Sequence, residues 1–398
     1  MTKPAVFSRR WNNAVWVLYF ARGVLWGAWA SQTPAIKQAL HFSVSDVGTY
    51  SLMFSLGSIA AVFIGGRIIA KLGSRTFSIV AYTFAALGLV GLSLLLNGQN
   101  STLVFAMIAL LGFPVGNADL DNNLQASALN RASGRNLIPS LQGGFSVGVL
   151  VGSGFASLMF SNSIPTQAQL VIIAISVAVM AVVAAFFVPR STGKSADVTL
   201  QIAEHGFEGK YDVWKETRTI KLAVIAFAFV FSEAVVTTWV PVALSQQGFS
   251  DSAAAFGYTV FGFGMAAMRI AGNKVADTFG RRKVVVSTAI VSIVGQVWFV
   301  FSPVIGGHYF AAFLWGAGAA ISLAMVLAAA GDNAARMAKR VNMIMVVVYI
   351  ANAVSGPIVS AVAQVTGLYG AFFAATAFML AAIALSKTVV AERLPVNS

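Results

Sequence analysis

The chain has 398 residues, of which 58% are hydrophobic and only 10% are charged, and its mean hydropathy is +0.80. Soluble domains carry about 25% charged residues, so this composition excludes an ordinary soluble protein. The net charge of +13 does not indicate nucleic acid, because the basic residues punctuate apolar runs and never form a continuous basic helix. The chain has no Cys and three scattered His, so we expect neither disulfides nor a metal site, and no cofactor.

Apolar runs long enough to cross a bilayer core of about 30 Å occur twelve times along the chain. Their Gly, Ala and Ser content predicts close packing against other membrane helices. The first run has no small-residue cleavage site, so we expect no cleavable signal peptide. The predicted spans are 13–34, 47–70, 77–97, 102–126, 138–161, 167–189, 219–244, 253–275, 284–304, 307–331, 342–364 and 370–390.

The distribution of Lys and Arg predicts the orientation of these spans. With a cytoplasmic N-terminus, 24 of the 26 basic residues fall in cytoplasmic segments, Lys37 lies outside and Arg22 lies within a span. So strong a bias predicts that both termini are cytoplasmic and that the number of spans is even. The polar stretch 190–218 is the only long linker, and it divides the chain into six-helix bundles at 1–189 and 219–398.

The two halves repeat one loop sequence. The chain reads GGRIIAKLGSR at 65–75, after span 2, and AGNKVADTFGRR at 271–282, after span 8. Both copies place a small residue, an apolar-leaning turn, a Gly and then Arg at the end of equivalent helices, which indicates a parallel repeat.

This loop, in a six-plus-six arrangement, is similar to the G-x-x-x-D-R-x-G-R-R signature of the major facilitator superfamily. WASQTPAIKQAL (29–40) and SGPIVSAVAQVTGLYGA (355–371) resemble its fucose-permease-like branch. Ala70 stands where the family usually has Asp, and Asn273 stands at the leading Gly. The resemblance implies alternating access around a central cavity, and loops that hold the halves in the outward-facing state. The gating-loop residues it implies are Gly66, Lys71, Gly73, Arg75, Asp277, Gly280, Arg281 and Arg282.

Besides the basic residues at the cytoplasmic ends of the spans, four Asp, Glu, Lys or Arg residues lie within the predicted spans, where a charge costs roughly 2.5–3.5 kcal/mol: Arg22, Asp119, Asp121 and Glu233. Arg22 shares a helix face with Tyr19, Trp26 and Trp29. An Arg beside aromatic rings can bind a carboxylate or phosphate, or stack on a ring while it binds sugar hydroxyls. The alternative is an internal ion pair with Asp119 or Asp121 that holds helices 1 and 4 together.

Span 4 ends in its most polar stretch, GNADLDNNLQ at 116–125. Asp119, Asn122 and Asn123 fall on one side of the helix, whereas Asp121 and Gln125 share another side at i, i+4. Asp119 is the deeper carboxylate and the candidate for proton coupling, together with Asp121. The alternative is that Asp121, Asn122 and Asn123 lie at the cytoplasmic interface and cap the helix.

Glu233 is the proton-site candidate of the second half, because desolvation favours the protonated form of a carboxyl group. The alternative is a structural Glu that bridges two helices. Further substrate-binding candidates are Gln142, Thr237, Trp239, Trp315 and Asn352.

The resemblance implies a transporter, and the polar and aromatic residues concentrated on spans 1, 4 and 7 favour proton-coupled uptake of a small polar solute such as a sugar or sugar acid. The alternative is proton-driven efflux of drugs or metabolites. We expect no enzyme, because neither a nucleotide loop nor a nucleophile with a base partner occurs. The expected partners are the substrate, protons and the lipid bilayer but no nucleic acid, and we expect a monomer in a bacterial inner membrane.

Overall fold

The computed structural model describes residues 7–98, 100–135, 137–194, 213–333 and 336–391. In these ranges the chain is helical, with short connections. The helices are α1 (Arg9–Ala39), α2 (Val44–Leu72), α3 (Ser74–Leu95), α4 (Ser101–Ser133), α5 (Ile138–Ser161), α6 (Thr166–Ala185), α7 (Thr217–Gln246), α8 (Asp251–Phe279), α9 (Arg281–Phe301), α10 (Ile305–Ala319), α11 (Ser322–Ala330), α12 (Met337–Ala371) and α13 (Phe373–Leu385).

Ten helical segments of the described residues are long and apolar enough to cross a membrane, with α10 and α11 forming one of them, Ile305–Ala330. Helix α1 has 31 residues but is less apolar, because Asn12, Asn13 and Arg22 lie within it. The last apolar stretch, Phe373–Val389, is shorter than the others. The twelve spans and the orientation of the termini therefore stay predictions.

Side-chain caps define the beginnings of the first two helices. Ser8 accepts a hydrogen bond from the backbone N–H of Trp11. Ser43 and Asp46 form a capping box at the start of α2, in which each side chain bonds the other residue's backbone N–H. Such caps satisfy N–H groups that have no partner within the helix.

The chain forms two compact units, one made of residues 1–202 and 241–259 and the other of residues 203–240 and 260–398. The hairpin 241–259 belongs to the first unit, and the consecutive bundles 1–189 and 219–398 that the sequence suggests stay a prediction. Most of the predicted linker, residues 195–212, lies outside the described residues.

Glycine sets the packing of the first unit. Helix α1 packs on α5, and α2 packs on α4. A Cβ atom added to Gly57 would clash with the carbonyl oxygen of Ala109, and one added to Gly112 would clash with that of Phe54. Each glycine therefore lets the backbone of the other helix approach more closely than a side chain would allow.

The second unit repeats this reciprocal contact. A Cβ atom on Gly264 of α8 would clash with the carbonyl oxygen of Phe313, and one on Gly316 of α10 would clash with that of Phe261. In both units, each glycine lies three residues after the residue of its own helix whose carbonyl oxygen contacts the glycine of the other helix. Helix α9 packs on α13 as its counterpart α3 packs on α6, which supports the predicted repeat.

The repeated loops have the same backbone geometry. Gly73 has φ 77° and ψ 153°, and Gly280 has φ 76° and ψ 154°. Each is a one-residue turn, since α2 ends at Leu72 and α3 begins at Ser74. A positive φ favours glycine, which explains the Gly common to both copies.

The hairpin 241–259 is attached to α1 and α5 by polar contacts. Gln38 donates from Nε2 to the hydroxyl of Ser245 at 2.9 Å. Ser157 donates to the backbone carbonyl of Ser252 at 2.9 Å, and the hydroxyls of Ser161 and Ser252 lie 2.6 Å apart.

Candidate functional site

Arg22 and Asp119 form an ion pair between the middles of α1 and α4. The guanidinium also lies over the ring of Phe145 from α5, 4.2 Å from the ring centroid, a cation–π geometry. The side chains of Arg22 and Asp119 are 17% and 30% exposed. Arg22 therefore has the internal carboxylate partner that the sequence offered as an alternative, and the pair is not sealed within the unit.

Asn123 links this ion pair to Tyr19. The Asn123 amide donates to the Asp119 carboxylate at 3.1 Å and to the Asp119 backbone carbonyl at 2.9 Å. Its Oδ1 accepts a hydrogen bond of 2.8 Å from the Tyr19 hydroxyl. The predicted residues Arg22, Tyr19, Asp119 and Asn123 thus form one connected cluster.

Asp121 has a different environment, because its side chain is fully buried. Its Oδ2 accepts hydrogen bonds from Ser78 of α3 and from Gln125, the latter at 2.8 Å. The predicted i, i+4 pairing of Asp121 with Gln125 is therefore present. Asn122 is also fully buried and donates to the Tyr82 hydroxyl at 3.1 Å.

The helix-capping alternative for this stretch is wrong. Helix α4 continues to Ser133, and its C-cap is Gly134 in the left-handed conformation. Asp121, Asn122 and Asn123 consequently lie well inside the helix, where a carboxylate cannot act as an end cap.

The remaining candidates of the first unit divide by burial. Trp29 is buried and stacks on Tyr50 with a centroid distance of 5.0 Å and on Phe54 at 5.5 Å. Trp26 is half-buried and meets Phe54 edge-on, whereas Gln142 of α5 is exposed. Trp29 is thus held in an aromatic cluster, while Trp26 and Gln142 keep accessible surface.

In the second unit, Glu233 lies near the middle of α7, 4.0 Å from the Arg269 guanidinium of α8. Their side chains are 31% and 25% exposed. Thr237 is buried, and its hydroxyl donates to the Glu233 backbone carbonyl at 3.0 Å. Each unit therefore has one partly exposed carboxylate paired with Arg in the middle of its helices.

Trp315 is fully buried and donates from its indole N–H to Ser232 at 2.6 Å. Gln296 of α9 donates to the same hydroxyl at 3.0 Å, so Trp315 contributes to a buried polar network that joins α7, α9 and α10. Trp239 is fully buried as well. Asn352 is half-buried and donates to the Val348 backbone carbonyl.

The two loops that the resemblance implies as gating loops have different partners. Arg75 donates from Nε to the Val188 backbone carbonyl at 2.7 Å. Asp332 accepts from Arg281 at 2.6 Å and from Arg218 at 3.0 Å. Gly66 and Gly73 are buried, whereas Lys71, Asp277, Gly280 and Arg282 are exposed.

One ionic cluster was not predicted from the sequence. Arg340 is fully buried and bonds both carboxylate oxygens of Glu216, with Nε 3.0 Å from Oε2. Arg336 lies 3.3 Å from the same carboxylate, and Thr219 donates to it at 2.7 Å. The Arg340 hydrogen bonds in particular lower the pKa of Glu216 from 4.5 to about 2. Glu216 falls in the predicted linker, so no apolar run marked it as unusual.

Among the described residues, no group of three or more His, Asp or Glu side chains could hold a metal ion.

A profile described as Major Facilitator Superfamily matches residues 15–338 and 222–397. An uncharacterised MFS-type transporter of Yersinia pestis is 24% identical over 373 residues, which cover 93% of this chain and 94% of that protein. Membrane protein MosC of Rhizobium meliloti is 23% identical over 89% of this chain and 84% of its own length.

Solved structures show the same fold at low identity. The nucleoside transporter NupG has a TM-score of 0.70 at 16% identity and covers 96% of this chain and 98% of its own. The D-xylose-proton symporter has a TM-score of 0.70 at 13% identity, with coverages of 95% and 97%. A variant of the E. coli fucose:proton symporter FucP has a TM-score of 0.63 at 15% identity, with coverages of 95% and 98%.

These findings define the class of the protein as a multi-pass membrane transporter with a small-molecule substrate. The profile match extends over nearly the whole chain, and the chain therefore belongs to the major facilitator superfamily.

Proposed function

We propose that the chain is a secondary active transporter that works by alternating access and couples uptake of a small polar solute, such as a sugar or sugar acid, to protons. The observation that carries the proposal is the pairing of Arg22 with Asp119 in the middle of membrane helices while both side chains keep exposed surface. An ion pair that is sealed within a protein cannot exchange its partners for a ligand. An accessible pair can exchange its partners for a ligand or a proton.

The relatives fit this proposal. FucP and the D-xylose-proton symporter are named as sugar and proton symporters, and NupG is named as a nucleoside transporter. Each name describes a polar, hydroxylated solute. Twelve spans, cytoplasmic termini, a bacterial inner membrane and a monomeric state are part of the same proposal.

Glu233 is proposed as the proton site of the second unit. Its carboxylate lies 4.0 Å from Arg269 and is 31% exposed. Protonation of this carboxyl group would remove the charge that attracts Arg269 and so change the contact between α7 and α8.

The test uses purified protein in proteoliposomes, with a pH gradient and radiolabelled sugars, sugar acids and nucleosides. We expect accumulation of one solute class above its external concentration and loss of accumulation when a protonophore is added. Glu233→Gln, which keeps the side-chain volume, should abolish accumulation while exchange of internal for external solute continues. Uphill uptake at the wild-type level by this variant would contradict the proton role, and gradient-driven release of solute would indicate export.

A further inference from the structure

We infer that Arg22 binds the anionic group of an organic monoanion such as a sugar acid, and that Asp119 releases Arg22 to this anion by taking up a proton. The inference rests on the proposed function and names the substrate class of that site.

The geometry of Arg22 fits an exchange of carboxylates. Its guanidinium lies over the Phe145 ring at 4.2 Å from the centroid, which holds one face of the planar group. The N–H donors of the guanidinium lie along the edges of that plane, so a carboxylate can accept hydrogen bonds from them in the same plane. Asp119 holds that position in the present structure.

Asp119 can leave Arg22 without losing all its contacts. The Asn123 amide donates to Asp119 Oδ1 at 3.1 Å, and Asn123 is itself fixed by the Tyr19 hydroxyl at 2.8 Å. A protonated carboxyl group keeps a carbonyl oxygen that accepts this amide hydrogen. The hydrogen bond from Asn123 therefore keeps the protonated Asp119 side chain next to the position beside Arg22 that it has left.

The charges balance in both states. The pair of Arg22 and ionised Asp119 is neutral. A proton from water converts Asp119 to the carboxylic acid and removes the negative charge that is paired with Arg22, which is unfavourable for a cation in a membrane helix. A bound monoanion restores neutrality, so one proton and one anion bind together and the complex carries no added charge.

The other titratable groups around the pair have separate partners. Tyr19 donates to Asn123, Tyr82 of α3 donates to the Leu18 backbone carbonyl at 2.7 Å, and Asp121 accepts from Ser78 and Gln125. Helices α5 and α6, which pack on α1, contain no ionisable residue. Helix α2, which packs on α4, carries Arg67, whose side chain is exposed.

The experiment measures equilibrium binding to the purified full chain in detergent, with gluconate and glucuronate as anions and sorbitol and glucose as neutral counterparts. Calorimetry in buffers of different ionisation enthalpy counts the protons. We expect anion binding with uptake of about one proton, so that affinity rises about tenfold for each pH unit lowered while Asp119 is ionised. The neutral compounds should bind at least about tenfold more weakly, since they offer Arg22 no charge.

Three variants assign the groups. Asp119→Asn should bind the anion without proton uptake and with little pH dependence, whereas Asp46→Asn, the same change in the capping box of α2, should keep proton uptake. Arg22→Gln should lose anion binding, with folding checked by thermal unfolding. Wild-type anion affinity in Arg22→Gln, proton uptake by Asp119→Asn, or absence of binding by every anion would each overturn the inference.

The inference and the proposed function can fail separately. Gradient-driven accumulation of a neutral sugar without anion binding would overturn the inference and leave coupled uptake standing. Proton-linked anion binding without accumulation would support the inference and contradict coupled uptake.

Discussion

Gly23 of α1 and Gly148 of α5 face each other so closely that a Cβ atom on either would lie 2.9 Å from the Cα atom of the other. A Cβ atom on Gly23 would also clash with the backbone carbonyl of Phe145. The contact therefore places Phe145 directly against α1, at the level of Arg22. The close contact of Gly23 with Gly148 and the contact of Arg22 with Phe145 therefore lie on the same turn of α1.

Gly148→Ala should destabilise the protein, because the added methyl group would meet the backbone of α1 at Phe20 and Gly23. Overpacking of this kind costs about 1–3 kcal/mol. The measurement is thermal unfolding in detergent. Gly143→Ala is the matched control in the same helix, since a Cβ atom at Gly143 meets nothing within 4 Å. Equal unfolding temperatures for the two variants would contradict the close α1–α5 contact.

Gly280→Ala should be destabilised by backbone conformation alone. Gly280 has φ +76°, and a Cβ atom there meets nothing within 4 Å, so no steric contact with other residues contributes. With ψ 154°, this conformation is essentially restricted to glycine and costs another residue about 1–3 kcal/mol. Gly306→Ala is the control, because it also lies in open space but within helix α10, where Ala is favoured. A variant at Gly280 as stable as wild type would show that this turn is not held in the described conformation.

The ionic cluster at Glu216 should make stability depend on pH in the acid range. Because Arg340 lowers the pKa of Glu216 from 4.5 to about 2, the folded state is stabilised by ionised Glu216 above about pH 4.5, and this contribution is lost as pH falls toward about 2. The unfolding temperature of the wild-type protein should therefore fall as the pH is lowered from about 4.5 to about 2.

Glu216→Gln should remove this part of the pH dependence and lower stability at neutral pH by about 3–5 kcal/mol, since Arg340 would remain buried without its carboxylate. Ser191→Ala, outside this cluster, serves as a control. An unchanged acid profile in Glu216→Gln would mean that other carboxylates cause the pH dependence.

The contact of Ser161 with Ser252 predicts a disulfide in a chain that has no Cys of its own. Ser161→Cys combined with Ser252→Cys should cross-link under mild oxidation, because the hydroxyl oxygens of these two short side chains are only 2.6 Å apart, which brings the positions within reach of a disulfide. Cross-linking should reduce uptake, and a reductant should restore it, if the hairpin must leave α5 during transport.

Thr288→Cys combined with Ser322→Cys is the control pair. The hydroxyls of Thr288 and Ser322 lie 2.7 Å apart between α9 and α11, within the second unit and away from the hairpin. Its cross-link should leave uptake unchanged. Full uptake by the oxidised Ser161 and Ser252 pair would show that the hairpin stays in place.

The apolar runs predicted where the helices lie but not where all of them end. Helix α4 continues to Ser133, beyond the predicted end at 126, and its Asp121 bonds within the unit rather than to water. Hydropathy cannot detect this, since a buried Asp121 that bonds Ser78 scores the same as an exposed one. The i, i+4 spacing of Asp121 and Gln125 did predict their contact.

Helix periodicity also placed Arg22 and Tyr19 on one face, but their partners lie on α4. Asp119, the partner of Arg22, is 97 positions further along the chain, and Asn123, the partner of Tyr19, is 104 positions further along. Such contacts depend on how helices pack, which a local pattern does not contain. Glu216 with Arg340, and Ser161 with Ser252, were missed for the same reason. The sequence alone does not show whether a Ser in a helix rich in small residues makes a hydrogen bond to another helix or only packs against it.

The hairpin 241–259 has a consequence for biosynthesis. It packs with residues 1–202 although the ribosome makes it after the linker and most of α7. The first unit therefore cannot complete its contacts while only its six helices have been synthesised, and Gln38, Ser157 and Ser161 must wait for Ser245 and Ser252 to emerge. Folding of the first unit is thereby tied to translation of the second half of the chain, and a product truncated before the hairpin would lack these contacts of Gln38, Ser157 and Ser161.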